Sequence, residues 1–142
     1  YQLGIIYNEM EIYDLAINEF KQYVSKINDD PISYRLLADC YSNTKQFEQS
    51  IIYYRKALEL YNYQDIKTTY SLGLSYFEIS DNINAAKYFK SILKINYDFS
   101  KAHHMLVKTY LNLGRLREAR KECDILFMLD TSLYNSLDYC KN

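Results

Sequence analysis

The side chains best suited to chemistry in this 142-residue chain are two histidines and three cysteines. His103 and His104 are adjacent, so on a helix their side chains diverge and do not readily share a metal ion. We expect His103 to pack internally and His104 to face a binding surface. No Ser/His/Asp combination, glycine-rich phosphate loop or metal motif accompanies them. The sequence therefore predicts a protein without catalytic activity, metal or cofactor.

The cysteines also lack a pattern that indicates function. Cys40, Cys123 and Cys140 are odd in number, and their spacing matches no zinc motif. Cys123 occupies the position that Phe20 and Phe89 hold in the repeats described below. We therefore predict three small, buried side chains with inert thiols.

Composition favours a folded protein and gives no support for nucleic-acid or membrane binding. Hydrophobic residues make up 49% of the chain and charged residues 25%, and the net charge is −1. The longest apolar stretches have about five residues, whereas a membrane-spanning helix needs about 20. The chain begins at Tyr1, inside a repeat and without an initiator Met, which predicts a fragment of a longer protein. The sequence does not identify a compartment, and the cytoplasm is the first expectation.

A four-part signature recurs along the chain. A leucine is followed directly by a small residue and four positions later by a tyrosine, and a second small residue stands nine positions after that tyrosine. The copies are Leu3-Gly4, Tyr7 and Ala16; Leu37-Ala38, Tyr41 and Ser50; Leu72-Gly73, Tyr76 and Ala85; Leu106-Val107, Tyr110 and Ala119. Successive copies are 34, 35 and 34 residues apart. A period of this length predicts stacked repeats rather than one compact core.

Each repeat is predicted to contain two amphipathic helices, because apolar residues recur in two segments at helical spacing. Asp30 before Pro31 has the types of an N-cap and a first-turn residue. Thr44 can cap the partner helix, Asp65 stands at a further helix start, and either Asp81 or Asn82 opens the helix after it. A single proline and three glycines also favour helices over turn-rich structure.

The period divides one predicted domain, 1–142, into four repeats and a terminal segment. The boundaries fall at about 1–30, 31–64, 65–98 and 99–130. Residues 131–142 are predicted to form a capping helix or the start of a further repeat.

The signature resembles the tetratricopeptide repeat, and the match covers residues 1 to about 130. The resemblance implies an all-α, right-handed α-solenoid of stacked antiparallel helix pairs that acts as a protein–protein interaction scaffold. The pentatricopeptide repeat, an RNA reader, has a related architecture, but its usual period of 35 occurs only once here. The weak net charge also favours a protein partner over nucleic acid.

The resemblance further implies that the first helices of successive repeats line a concave groove. The positions facing it lie three residues before the first small residue and one, four and five residues after it. Together with cations near the helix starts, the predicted partner-binding residues are Asn8, Arg35, Asp39, Asn43, Lys67, Tyr70, Leu74, Phe77, Lys101, His104, Lys108 and Asn112. This mixture predicts a partner peptide or helix with acidic and apolar groups. Taken singly, each residue is better explained as part of a solvated helix surface, whereas the groove as a whole favours binding.

Three alternatives have less support. Binding of acidic chaperone tails would need asparagines in place of Asp39 and Ser71 and an arginine in place of Met105, so we reject it. Self-assembly through the terminal helix is suggested by Leu133 and Leu137, which we expect to leave apolar surface exposed. A regulatory role within a larger enzyme is the third alternative.

Overall fold

The chain folds into α-helices joined by short connections, in a computed structural model that describes residues 1–141. No helix in this range is long and apolar enough to span a membrane. The helices are α1 (Gln2–Glu9), α2 (Tyr13–Lys26), α3 (Pro31–Asn43), α4 (Phe47–Leu60), α5 (Ile66–Glu78), α6 (Asn82–Ile95), α7 (Ser100–Asn112), α8 (Leu116–Leu129), α9 (Thr131–Asn135) and α10 (Asp138–Lys141). The predicted all-α class is confirmed.

The helices group into two units, Tyr1–Ile79 and Ser80–Asn142, called unit 1 and unit 2 below. In unit 1, each helix from α1 to α5 packs on the next one, and α3 also contacts α5. In unit 2, each helix from α6 to α10 packs on the next, while α9 also contacts α7 and α10 also contacts α8. Helices that pack on their neighbours in sequence are typical of stacked repeats.

The leucines and small residues of the signature form much of the core. Leu37, Leu72 and Leu106 are fully buried, whereas Leu3 is 44% exposed. At the first small position, a Cβ added to Gly4 would lie 2.9 Å from the ring of Phe20. The glycine therefore permits the close approach of α1 and α2.

The signature tyrosines differ in burial. Tyr41 and Tyr110 are 6% and 4% exposed, as expected for side chains that fill space beside the helix contact. In unit 1, the Tyr41 ring stacks on Tyr53 at 5.5 Å between centroids. Tyr7 and Tyr76 are only partly buried, so these two rings fill less of the core than Tyr41 and Tyr110 do.

The turn inside each repeat has the same backbone conformation. One residue in each turn has a positive φ: Glu11 (60°), Lys45 (60°), Ser80 (62°) and Gly114 (69°). The amide after this residue donates to the carbonyl of the signature tyrosine in three of the turns, with N···O distances of 2.8 Å. The tyrosine position therefore also marks where the first helix is closed by a Schellman-type hydrogen bond.

Three of the predicted helix caps are confirmed. Asp30, Asp65 and Asp81 accept hydrogen bonds from backbone amides in the first turns of α3, α5 and α6. The Thr44 prediction is wrong, because α4 begins after Gln46. The Thr44 hydroxyl instead donates to carbonyl oxygens at the end of α3, 3.0 and 3.1 Å away.

Candidate functional site

The strongest candidate surface in unit 1 is a stripe along α5. Lys67, Tyr70, Leu74 and Phe77 are three or four residues apart, which places them on one face of the helix. The lysine is exposed, and the other three side chains are half-buried. Burial raises the pKa of the Tyr70 hydroxyl above its ordinary value. The stripe thus combines one cation with accessible apolar area.

An ion pair on α3 lies beside this stripe. The Arg35 Nη1 is 2.8 Å from the Asp39 Oδ2, and the Tyr54 hydroxyl donates to the Asp39 Oδ1 at 2.7 Å. Burial raises the pKa of Asp39, although Tyr54, Arg35 and Lys67 each oppose the shift. Both carboxylate oxygens of Asp39 therefore accept hydrogen bonds, one from Arg35 and one from Tyr54. Helices α3 and α5 also contact each other, so the ion pair and the stripe lie on neighbouring helices of unit 1.

The two predicted asparagines of unit 1 have different surroundings. The Asn8 Oδ1 accepts a hydrogen bond from the Cys40 Sγ at 3.2 Å, which links α1 to α3. Asn43 is exposed at the C-terminal end of α3. Asn8 therefore belongs partly to the packing, and Asn43 lies at the edge of the surface.

The predicted residues of unit 2 all lie on α7. Lys101 and Asn112 are exposed, and Asn112 donates to the Asn82 Oδ1 at 3.1 Å. The His104 Nε2 is 3.1 Å from the Ser136 hydroxyl, which follows α9. Burial, and then the charge of Lys108, lower the pKa of His104. The C-terminal segment therefore covers part of the predicted α7 surface.

His103 is buried, as predicted, but it also belongs to a polar cluster. Its ring is 1% exposed; Nδ1 lies 2.5 Å from the Glu122 Oε2, and Nε2 lies 2.8 Å from the Tyr97 carbonyl oxygen. A carbonyl oxygen only accepts hydrogen bonds, so Nε2 must carry a proton. Burial lowers the pKa of His103, but Glu122, the Tyr97 carbonyl and Asp98 together raise it above its ordinary value.

The prediction of three inert thiols is wrong for two of the cysteines. Cys123 and Cys140 form a disulfide that ties α8 to α10, because the C-terminal segment folds back over α8. Cys40 is a free, buried thiol, and burial raises its pKa to about 12. A buried thiol with a raised pKa is expected to react slowly, so an inert Cys40 stays the prediction. Between residues 1 and 141, no three metal-ligating side chains come together.

Sequence reasoning missed Tyr54, Glu122 and Ser136 as partners of the surface and cluster residues. A signal for Tyr54 existed, since it carries a hydroxyl at a position where Phe20 and Phe89 stand in other repeats. Glu122 and Ser136 had no such signal, because their partners lie 19 and 32 residues away in the sequence.

Sequence comparison identifies one of the repeats. Residues 33–63, which cover most of α3 and α4, match the family described as tetratricopeptide repeat. The sequence matches no curated protein.

Solved structures of MamA share the fold over most of the chain. A crystal structure of MamA has a TM-score of 0.85 at 17% identity, over 90% of this chain and 74% of that chain. MamA AMB-1 has a TM-score of 0.85 at 20% identity, over 92% and 70% of the two chains. MamA MSR-1 has a TM-score of 0.83 at 19% identity, over 91% and 74%. At such identities the likeness shows the fold alone.

The chain is therefore built of stacked helix pairs, and residues 33–63 match a tetratricopeptide repeat. Domains made of such repeats are generally protein-interaction scaffolds.

Proposed function

We propose that this chain is a non-catalytic scaffold that holds a peptide or helix of a partner protein on its first helices. The proposed binding residues form two separate surfaces, one on α3 and α5 in unit 1 and one on α7 in unit 2. The observation that carries the proposal is the α5 stripe, where Lys67 accompanies Tyr70, Leu74 and Phe77. Apolar anchors in shallow pockets with charged neighbours are what peptide-binding surfaces offer.

The charges of this surface favour an acidic group in the partner. Arg35 already forms an ion pair with Asp39, so its charge is largely compensated within the chain. Lys67 makes no ion pair with any residue of the described range. Lys67 is therefore the cation on α5 that an incoming carboxylate can reach, while Leu74 and Phe77 receive apolar side chains.

Affinity capture from source-cell lysate tests the proposal with a double variant, Lys67→Glu with Leu74→Ser. We expect a protein that wild type retains to be lost by this variant. A matched control, Lys21→Glu with Ile52→Ser, makes the same kinds of change at exposed positions of α2 and α4 and should retain it. Circular dichroism melting verifies that both variants fold. Equal retention by all three chains would reject the α5 surface.

Self-assembly is a second candidate, supported by the outer face of α1. Leu3, Ile6 and Met10 are 44%, 49% and 61% exposed, whereas the equivalent Leu37 is fully buried. The terminal segment offers less apolar surface for self-assembly than the sequence predicted, because Leu137 is only 8% exposed. Sedimentation velocity over a wide concentration range tests this candidate. Association that Leu3→Glu with Ile6→Glu abolishes would support it, and a monomer throughout would reject it.

A further inference from the structure

Helix α6 carries three lysines on one face and no acidic residue. Lys87, Lys90 and Lys94 are three and four residues apart, and all are exposed. None forms an ion pair within the part of the chain that the structure describes. Lys94 lies in the last turn, where a cation complements the helix dipole. The other two lie further from the C-terminus, where like charges at this spacing repel without that compensation.

The other second helices provide an internal comparison. Helices α2, α4 and α8 each contain both acidic and basic residues. Asp81, which precedes α6, accepts hydrogen bonds from the backbone amide and side chain of Asn84 and so serves as the cap. The unbalanced charge of α6 is therefore a departure from the pattern of this chain's own repeats.

These lysines border a groove with an apolar floor. The cavity has a volume of about 300 Å³, and its wall on the α6 side includes Ile83 and Ala86. Leu113, in the turn after α7, closes the opposite side. Ala86 is 6% exposed, whereas Ile83 is 74% exposed, so a large aliphatic side chain faces solvent at the rim.

The remaining cation at the groove is already neutralised. Arg115 donates from Nη2 and Nε to the Glu118 Oε1, at 2.6 and 2.9 Å. Its guanidinium also lies over the Tyr110 ring, 5.0 Å from the centroid. The positive charge that is open to a ligand therefore comes from the three lysines of α6.

We propose that this groove of unit 2 is a second docking site, which binds an acidic peptide segment carrying one apolar side chain. Acidic side chains of the peptide pair with the three lysines, and its apolar side chain packs on Ile83 and Leu113. The site lies on a second helix and is separate from the first-helix surfaces proposed above. It therefore gives the chain a means of contacting a second partner segment.

The three lysines and the apolar floor of the groove together favour a peptide over other polyanions. Lys87 and Lys94 are seven positions apart, or roughly 10 Å along the helix, which suits a few successive acidic residues. A nucleic-acid backbone offers phosphates but no apolar group for Ile83, and its binding relies on many more phosphate contacts. Residues 80–142 contain ten Lys and Arg and seven Asp and Glu, which is a modest excess of positive charge.

Fluorescence anisotropy with a defined probe tests the proposal on the full chain. The probe is a fluorescein-labelled peptide, Glu-Glu-Phe-Glu-Glu-Glu, beside a second peptide with Ser in place of Phe. The variant Lys87→Gln with Lys90→Gln and Lys94→Gln should weaken binding at least about tenfold and flatten its salt dependence. Ile83→Ser should weaken binding of the Phe peptide and leave the Ser peptide unchanged.

A control variant removes the same charge elsewhere. Lys21→Gln with Lys26→Gln and Lys56→Gln neutralises three exposed lysines of unit 1 and should bind the probe like wild type. An equal loss in this control, or no loss in the α6 variant, would overturn the proposal. Tighter binding of polyuridine RNA or phosphatidylserine vesicles than of the peptide would also overturn it. Melting curves establish that each variant is folded.

Discussion

At the scale of single residues, the His103–Glu122 contact is the most informative feature. A ring that is 1% exposed stays charged only if its partners replace the water it has lost. Glu122 accepts from Nδ1 and the Tyr97 carbonyl accepts from Nε2, so both protons of an imidazolium are satisfied. The cluster joins α7, α8 and the connection before α7, and its contribution to stability depends on the charge of His103.

This contact predicts a pH-dependent stability. The pKa of His103 is raised in the folded state, whereas an unfolded histidine titrates near 6.5. The stabilisation is therefore complete below about pH 6.5 and is lost as the pH rises through the folded pKa. We expect urea unfolding to show this loss in wild type and not in His103→Gln. An identical pH profile for the two chains would contradict the assignment.

His104 provides the control, because its pKa is shifted the other way. Its pKa is lowered in the folded state, so its effect appears as a loss of stability below about pH 6.5. His104→Gln should remove that acidic loss and leave the alkaline loss of the wild type unchanged. The two histidines thus act in separate pH ranges.

At the scale of elements, the most regular feature is the turn with a positive φ that follows each first helix. Glycine adopts this conformation freely, whereas other L-residues are strained in it. Only Gly114 supplies a glycine among the four turns, and Lys45 holds a φ of 60° at the equivalent position after α3. The first helices therefore end in the same geometry even where the residue type opposes it.

Exchanging the residue types at these turns should change stability in opposite directions. Lys45→Gly relieves backbone strain in the folded state but increases the conformational entropy of the unfolded chain. We expect the free energy of unfolding to rise by about 0.5–1 kcal/mol. Gly114→Ala should cost about 1 kcal/mol, because nothing crowds the site and the backbone conformation is the main penalty. Thermal melting measures both. A Lys45→Gly chain less stable than wild type would show that the turn is not strained.

At the scale of the whole molecule, the C-terminal segment and its disulfide close unit 2. Helices α9 and α10 pack on α8, and the Cys123–Cys140 bond connects residues 17 apart. The Arg120 guanidinium and the Tyr134 hydroxyl both donate to the Cys140 carbonyl, at 3.2 and 2.9 Å. Disulfides are typical of oxidising compartments and rare in the cytoplasm, so this bond disagrees with the expectation of a cytoplasmic protein.

Loss of the disulfide should be measurable as a change in unfolding. Cys123→Ser with Cys140→Ser should lower the free energy of unfolding by about 3 kcal/mol, as for a loop of this length. Reductant should destabilise wild type similarly and leave the variant unchanged. Alkylation of unreduced, denatured protein should label one thiol, Cys40. Three labelled thiols in protein from the source cell would contradict the bond.

The sequence predicted the repeats and the helices more fully than the side-chain partners. Periodicity and N-cap types located α3, α5 and α6, because these signals are local. The disulfide and the Arg35–Asp39–Tyr54 cluster were not predicted, since they depend on which side chains meet across helices. The partner-binding role of the surface residues stays a prediction, because single side chains on a helix do not distinguish binding from solvation.

Hydrogen–deuterium exchange with and without a captured partner is the most direct test of the proposed binding surface. The proposal predicts that the partner slows exchange in α3 and α5, and that Lys67→Glu with Leu74→Ser abolishes this protection. Protection confined to the second helices α2 and α4, with α3 and α5 unchanged, would contradict binding through the first helices.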